Sequence, residues 1–141
     1  MRLRTFESFW LLKNGLLNTY PMLRKDVSSD IIVIGGGITG ALISHALIQQ
    51  GYNVVLLDKR DIALGSTSAT TSMLQYEIDT PLFKLAEMMG EEEAAQCYRS
   101  GIDAIDNLGD LINQYKIDCG FKKQDSLYIA HNQKAAVNLQ K

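Results

Sequence analysis

The chain has 141 residues, 46% of them hydrophobic and 21% charged. That is ordinary globular usage, and a chain of this length can remove about two-thirds of its unfolded surface from water. A net charge of −2 excludes the basic face on which nucleic-acid affinity rests, so no nucleic-acid partner is expected.

At the N-terminus, Arg2 and Arg4 precede Phe9-Trp10-Leu11-Leu12, a loose imitation of a secretory signal. Lys13 and Asn14 interrupt the apolar run, which falls short of the ~7–15 residues such a signal needs. No stretch approaches the ~18 apolar residues of a membrane span. A cytoplasmic protein with no integral membrane segment is expected. Phe6, Phe9, Trp10, Leu12, Leu16 and Leu17 recur at roughly helical spacing until Pro21. They predict a short amphipathic helix or arm packed on the domain across residues 1–28. Its polar face lacks the dense lysine row of a membrane-surface helix.

Ile31-Ile32-Val33-Ile34 is a β-branched run without alternation, which predicts a strand buried on both faces. Gly35-Gly36-Gly37 breaks it. Ile38 to Gln50 then reads as a helix with Ala41, Leu42, Ala46 and Leu47 on its inner stripe, closed by Gly51 at the C′ position. Val54-Val55-Leu56-Leu57 is a second buried strand ending at Asp58. Strand, glycine turn, helix and strand make a βαβ unit.

Seven of the eight residues from Gly65 to Ser72 are glycine, serine or threonine, a composition typical of a surface or ligand-contacting loop. Thr80 is a candidate N-cap, with Pro81 at the first helical position. Gly90 interrupts that helix. A longer one is predicted from Glu91 to about Lys116, with Glu91-Glu92-Glu93 complementing the positive end of its dipole. Gly101 and Gly109 weigh against its continuity. Ser126 to Ala130 predicts a strand, and Asn132 caps a last helix from Gln133 to Lys141. That helix has no stop signal before the chain ends, a first sign of truncation.

Gly35-x-Gly37-x-x-Gly40 carries the chemistry. The first glycine permits a tight turn, the second a close approach of pyrophosphate to backbone, the third close helix–strand packing. The helix N-terminus behind them presents free N–H groups to phosphates. The pattern alone is weak, but here it follows a strand, opens a helix and precedes a second strand ending in an acid. Asp58 lies 18 positions after Gly40, near the ~20 at which an acid meets the adenosine ribose. That acid disfavours NADP, although Lys59 and Arg60 follow at once. NAD and FAD both fit the fingerprint.

Three segments resemble the D-amino acid oxidase superfamily of flavoproteins, to which glycine oxidase and sarcosine oxidase belong. They are Ile32 to Ala41, Asp58-Lys59-Arg60, and Gly65 to Leu74. The resemblance covers roughly residues 30–130 and implies FAD. It places Gly35, Gly37, Ile38, Thr39 and Gly40 at the pyrophosphate and Asp58 at the ribose, with Lys59 also among the cofactor-binding residues. It wraps the cofactor in Ser66, Thr67, Thr70, Thr71 and Ser72. The family's substrate domain is an antiparallel sheet, and Ser126 to Ala130 resembles one of its early strands.

The fold class that follows is α/β: an incomplete Rossmann-like βαβ FAD-binding domain with the start of an antiparallel sheet. The expected division is an arm over 1–28, a partial FAD-binding domain over 29–118, and the beginning of a substrate domain over 119–141. The complete enzyme is expected to oxidise a C–N bond of an amine or amino acid. No catalytic residue is assigned, because family members supply theirs from later sequence. Two other readings stay open: a non-catalytic remnant of such an enzyme, and an NAD-binding module. The fragment reading predicts an exposed apolar patch.

The remaining reactive side chains have plainer readings. Cys97 and Cys119 read as free thiols in a reducing compartment. His45 reads as a partly buried helix residue and His131 as loop surface. Asp103, Asp106 and Asp110 read as one solvated helix face, and no cluster has metal spacing. Ser66 and Ser68 have no partnered histidine for a hydrolase triad.

Overall fold

In the computed structural model, which describes residues 7–16, 18–77 and 79–139, the apolar N-terminal run closes one short helix, α1 (Phe9–Asn14). Gly15 ends it, so Leu16 falls outside the helix and Pro21 is not its stop. Phe6 and Leu17 lie outside the described residues. The chain forms two units, residues 1–72 and 73–141.

In the first unit, β1 (Ile31–Ile34) and β2 (Val54–Leu57) pair in parallel, with Ile31 opposite Val54 and Ile34 opposite Leu57. α2 (Ile38–Gln49) connects the strands and packs on both. The predicted βαβ unit is therefore present. A parallel pair requires such a crossover, because a two-residue hairpin can only join antiparallel strands.

Burial departs from the expectation at two places. β1 is not covered on both faces: Ile31 and Val33 are half-buried, whereas Ile34 is 87% exposed and Ile32 59%. α2 covers the Val33 face, and alternation along the strand turns Ile32 and Ile34 the other way. Nor does α2 bury the predicted stripe, since Ala41, Leu42 and Ala46 are exposed. Its apolar residues run all the way round, so periodicity does not select a face. The contact instead goes to the small residues Gly40 and Ser44, four apart, which let the helix backbone approach. The buried Ser44 Oγ has no hydrogen-bond partner.

In the second unit, α3 (Leu82–Met89) packs against α4 (Glu91–Gln114). Leu85 and Ala94 are the buried apolar side chains among the described residues. Gly90 separates the helices at φ +105°, a conformation that disfavours any side chain. The start of α3 differs by one residue from the prediction: Pro81 occupies the cap position and the helix begins at Leu82. The Thr80 carbonyl instead accepts a hydrogen bond from Tyr98 Oη at 2.8 Å. α4 ends two residues short of Lys116, which turns to φ +51°.

Gly101 and Gly109 do not break α4. They are points of close approach. A Cβ at Gly101 would meet the Tyr76 Cα and Cβ at 3.1 Å, and one at Gly109 would meet the Phe121 ring at 3.1 Å. A ring edge can shift more cheaply than backbone. Gly109→Ala should therefore keep most of the roughly 1 kcal/mol that alanine gains over glycine in a helix. Gly101→Ala should lose that gain to crowding, leaving it about 1–2 kcal/mol less stable than Gly109→Ala in urea titrations.

The predicted strand at Ser126 to Ala130 does not form, and the antiparallel sheet start is not seen. Residues 121–130 run without a ladder, with Leu127 85% exposed. A strand needs a partner for its N–H and C=O groups, and the described residues supply none. Side chains tether the segment instead: Tyr128 Oη donates to Glu77 Oε1 at 2.5 Å, and Lys123 pairs with Asp106. The hydrogen bond to Glu77 pushes the Tyr128 phenol up to about 12. α5 (Gln133–Leu139) follows, with Asn132 Oδ1 accepting from the Ala135 N–H at 2.8 Å as a cap. Residues 140 and 141, the predicted end of this helix, lie outside the described residues.

Among the described residues, no helix is long and apolar enough to cross a membrane, and no group of three His, Cys, Asp or Glu could hold a metal. Cys97 and Cys119 are free and exposed.

Candidate functional site

The site grows from the end of β1. Gly35 continues the ladder, donating its N–H to the Leu57 carbonyl at 2.7 Å, then turns the chain at φ +110°. A side chain there would be strained although the space around it is open. Gly37 occupies the N-cap position of α2 in extended backbone. The first N–H groups of α2 have no partner within the helix, as at any helix start, and they point out of its N-terminus.

Gly40 is the tightest point. A Cβ there would sit 1.9 Å from the Gly35 carbonyl oxygen. Helix and turn are in backbone contact, which holds the free N–H groups at the mouth of the turn. Gly37 is closed from the other side, where a Cβ would stand 3.0 Å from Thr67 Oγ1.

Asp58 closes the turn from β2. Its Oδ2 accepts from the Gly36 N–H at 2.7 Å and its Oδ1 from the Arg60 N–H at 2.8 Å. Those two N–H groups, first Arg60 and then Gly36, hold its carboxyl below the ordinary value of 3.8, and the charges of Arg60 and Lys59 add to them. Each carboxylate oxygen keeps a lone pair for a hydroxyl donor. A carboxyl lowered by folding adds stability above its ordinary value and loses it as pH falls through the lowered one. Wild-type stability should therefore decline below about pH 4. In parallel melts across that range, Asp58→Asn should show a shallower decline.

The Ser/Thr loop is more ordered than its composition suggests. Ser66–Ala69 forms a 3-10 turn, with Ser68 buried and its Oγ donating to the Gly65 carbonyl at 2.9 Å. The turn brings Thr67 Oγ1 to the Ile38 N–H, which donates to it at 3.0 Å. The Thr67 hydroxyl proton remains available to a further acceptor. Ser72 N–H donates to Thr70 Oγ1 at 3.1 Å, while Thr71 and Lys59 are exposed.

Gly35, Gly37, Ile38, Thr39, Gly40, Ser66 and Thr67 thus line one cleft of about 310 Å³. Val33, Ile34 and Ile43 also line it and are apolar. Asp58, Lys59, Thr70, Thr71 and Ser72 are not in its lining; Asp58 is bonded to the N–H of Gly36, between the lining residues Gly35 and Gly37. A cleft lined by a helix N-terminus and by apolar side chains suits an anion joined to a less polar body. The absence of space at Gly40 is what close packing of the helix on the turn and strand requires.

Three residues were not singled out by the sequence. Gly36 sits between Leu56 and Asp58, where a Cβ would meet Leu56 Cδ2 at 3.3 Å; its place in the glycine triplet was the available signal. Ala63 donates its N–H to the Gly36 carbonyl at 2.9 Å from a left-handed φ of +64°, and nothing in the sequence marks it. Trp10 donates Nε1–H to the Thr70 carbonyl at 2.8 Å, a contact that helical periodicity cannot foresee.

A model of FAD dependent oxidoreductases, abbreviated DAO, matches residues 30–141. A Bacillus subtilis protein provisionally named the Rieske 2Fe-2S iron-sulfur protein YhfW is 29% identical over 129 residues, covering 92% of this chain and 25% of its own length. The gamma-glutamylputrescine oxidoreductase of Escherichia coli is 23% identical over 134 residues, covering 95% of this chain and 31% of its own. The anaerobic glycerol-3-phosphate dehydrogenase of Haemophilus influenzae contributes a third relative, one of its polypeptides being 42% identical over 60 residues, 38% of this chain and 11% of its own. The chain spans between a quarter and a third of the length of the first two. No solved structure matches it.

Proposed function

The chain belongs to the DAO family of FAD-dependent oxidoreductases, whose model covers it from residue 30 to 141, and on that premise we propose that it forms the FAD-binding part of an enzyme oxidising a C–N bond of an amine or amino acid. The observation that carries the cofactor part is the backbone contact at Gly40, beside N–H donors and an acid already hydrogen-bonded to the turn. FAD is the cofactor of the family. When bound, it supplies the electron chemistry by accepting a hydride from the carbon that bears the nitrogen.

The chain's own residues bind and orient. The N–H groups of Thr39 and Gly40 face the diphosphate, while the Ile38 N–H holds the oxygen of the Thr67 hydroxyl, which donates its proton to one of the diphosphate oxygens. Gly35 and Gly37 leave room for that approach, with Ser66 beside them. Asp58 accepts from the ribose hydroxyls through its remaining lone pairs, with Lys59 near the same end. Thr70, Thr71 and Ser72 carry the loop onward along the cofactor. Ile34 and Ile43 offer apolar surface at the same cleft. In this reading residues 29–118 belong to the FAD-binding domain and 119–141 open the substrate domain. The protein works in the cytoplasm on a small-molecule substrate.

The amine substrate is supported by how far each match extends. The gamma-glutamylputrescine oxidoreductase aligns with 95% of the chain, whereas the glycerol-3-phosphate dehydrogenase aligns with 38% of it. A short match of high identity fits a shared cofactor motif better than a shared substrate. The test is anaerobic reduction of the flavin in the complete polypeptide that carries this segment. Amines or amino acids should bleach it, and bleaching by glycerol 3-phosphate but by no amine would overturn the C–N assignment.

A further inference from the structure

Residues 1–28 precede the span that the family model matches, yet α1 packs on the 3-10 turn of the cofactor loop. The contact has one directional bond. Trp10 Nε1–H donates to the Thr70 carbonyl at 2.8 Å. Thr70 N–H in turn donates to the Thr67 carbonyl at 3.4 Å, and Thr67 Oγ1 accepts the Ile38 N–H at 3.0 Å. Hydrogen bonds therefore link the arm to the first N–H of α2 by way of Thr70 and Thr67. The Trp10 ring is itself held, edge to face with Phe9 at 5.0 Å between centroids, and with the Lys13 ammonium 5.5 Å from its centroid.

We propose that Trp10 is a positioning residue for FAD, fixing the Ser66–Thr70 turn so that the Thr67 hydroxyl stays on the N-terminus of α2. This rests on the reading that the turn contacts FAD. The physical reason is entropic. A loop rich in serine and threonine has many competing local hydrogen bonds, and ordering it at the moment of binding lowers affinity. An indole anchored through both its ring and its N–H holds the loop in one arrangement before the ligand arrives. Trp10 does not line the cleft, so its effect passes through Thr70 and Thr67. The indole N–H is the essential group, because it is the hydrogen-bond donor that a phenyl ring lacks.

The test uses the whole chain, with Trp10→Phe, which keeps a ring and loses the donor, and Trp10→Ala, which loses both. FAD affinity is read by flavin absorbance and fluorescence, and folding by far-UV circular dichroism. Loss of one neutral hydrogen bond should weaken FAD by about fivefold in Trp10→Phe, and Trp10→Ala should be weaker still. Trp10 is the only tryptophan in the chain, so wild-type protein gives one indole N–H signal in a nitrogen-15 spectrum. Coupling is reciprocal, and that signal should shift and exchange more slowly with solvent when FAD is added. Flavin affinity unchanged in both folded variants, with an indole signal that FAD does not move, would overturn the role of Trp10 while leaving the FAD site intact. Failure of the wild-type chain to bind FAD at all would overturn both.

Discussion

Gly40→Ala is expected to abolish retention of FAD and to destabilise the first unit by roughly 3 kcal/mol, the upper end of the usual cost of overpacking. The effect comes from one distance: the new Cβ would lie 1.9 Å from the Gly35 carbonyl oxygen. Neither atom belongs to a side chain that can rotate away. Relief requires α2 to move off the glycine turn, and that movement takes the Ile38, Thr39 and Gly40 N–H groups with it. Valine at the same position should be worse. Alanine at Gly51, where nothing lies within 4 Å but φ is +89°, is the control. It should cost only the ~1–2 kcal/mol of a left-handed alanine and leave flavin binding in place. Denaturant melts and desalted flavin content read the two effects separately.

Asp58→Ala is expected to weaken FAD by about tenfold to a hundredfold, the range for losing a hydrogen bond to a charged acceptor. Two losses combine. The ribose hydroxyls lose their acceptor, and the Gly36 and Arg60 N–H groups lose theirs, which loosens the turn from the β2 side. Asp58→Asn keeps one oxygen and should fall between wild type and alanine. Asp58→Glu keeps the charge, places it one methylene further out, and should bind FAD within a few-fold of wild type, with its reach to the ribose compensating for a longer path to Gly36. Isothermal titration with FAD would check this order, and equal affinity for all four proteins would remove Asp58 from the site.

The parts of the fold legible in the sequence are those set by local chemistry. Ile31 to Ile34 and Val54 to Leu57 are β-branched or leucine runs bounded by glycine and aspartate, and both form strands at those limits. The glycine turn and α2 follow from the same local rules, as does the Asn132 cap of α5. Asp58 and Thr67 were legible as types at a spacing, but not the bonds they make to Gly36 and Ile38. What depends on distant partners was not legible. α2 is apolar on every side, so its sequence does not reveal that Gly40 and Ser44 face the sheet. Ser126 to Ala130 has the composition of a strand, but a ladder needs a second strand. Gly101 and Gly109 look like helix breakers until Tyr76 and Phe121 are seen against them. The Trp10 contact with Thr70 spans 60 residues and follows from no periodicity.

Several apolar side chains stand exposed in the first unit. Ile32, Ile34, Ile38 and Ile43 are among them. Ile34, Ile38 and Ile43 are among the residues that line the cleft. On the proposed reading, part of that surface belongs to the FAD site.

The most direct test of the central claim is the visible absorption spectrum of the purified chain, incubated with FAD and then desalted. The structure predicts flavin bands retained by the wild-type chain and absent from Gly40→Ala. A wild-type chain that is folded by circular dichroism, yet keeps no flavin after exposure to saturating FAD, would contradict it.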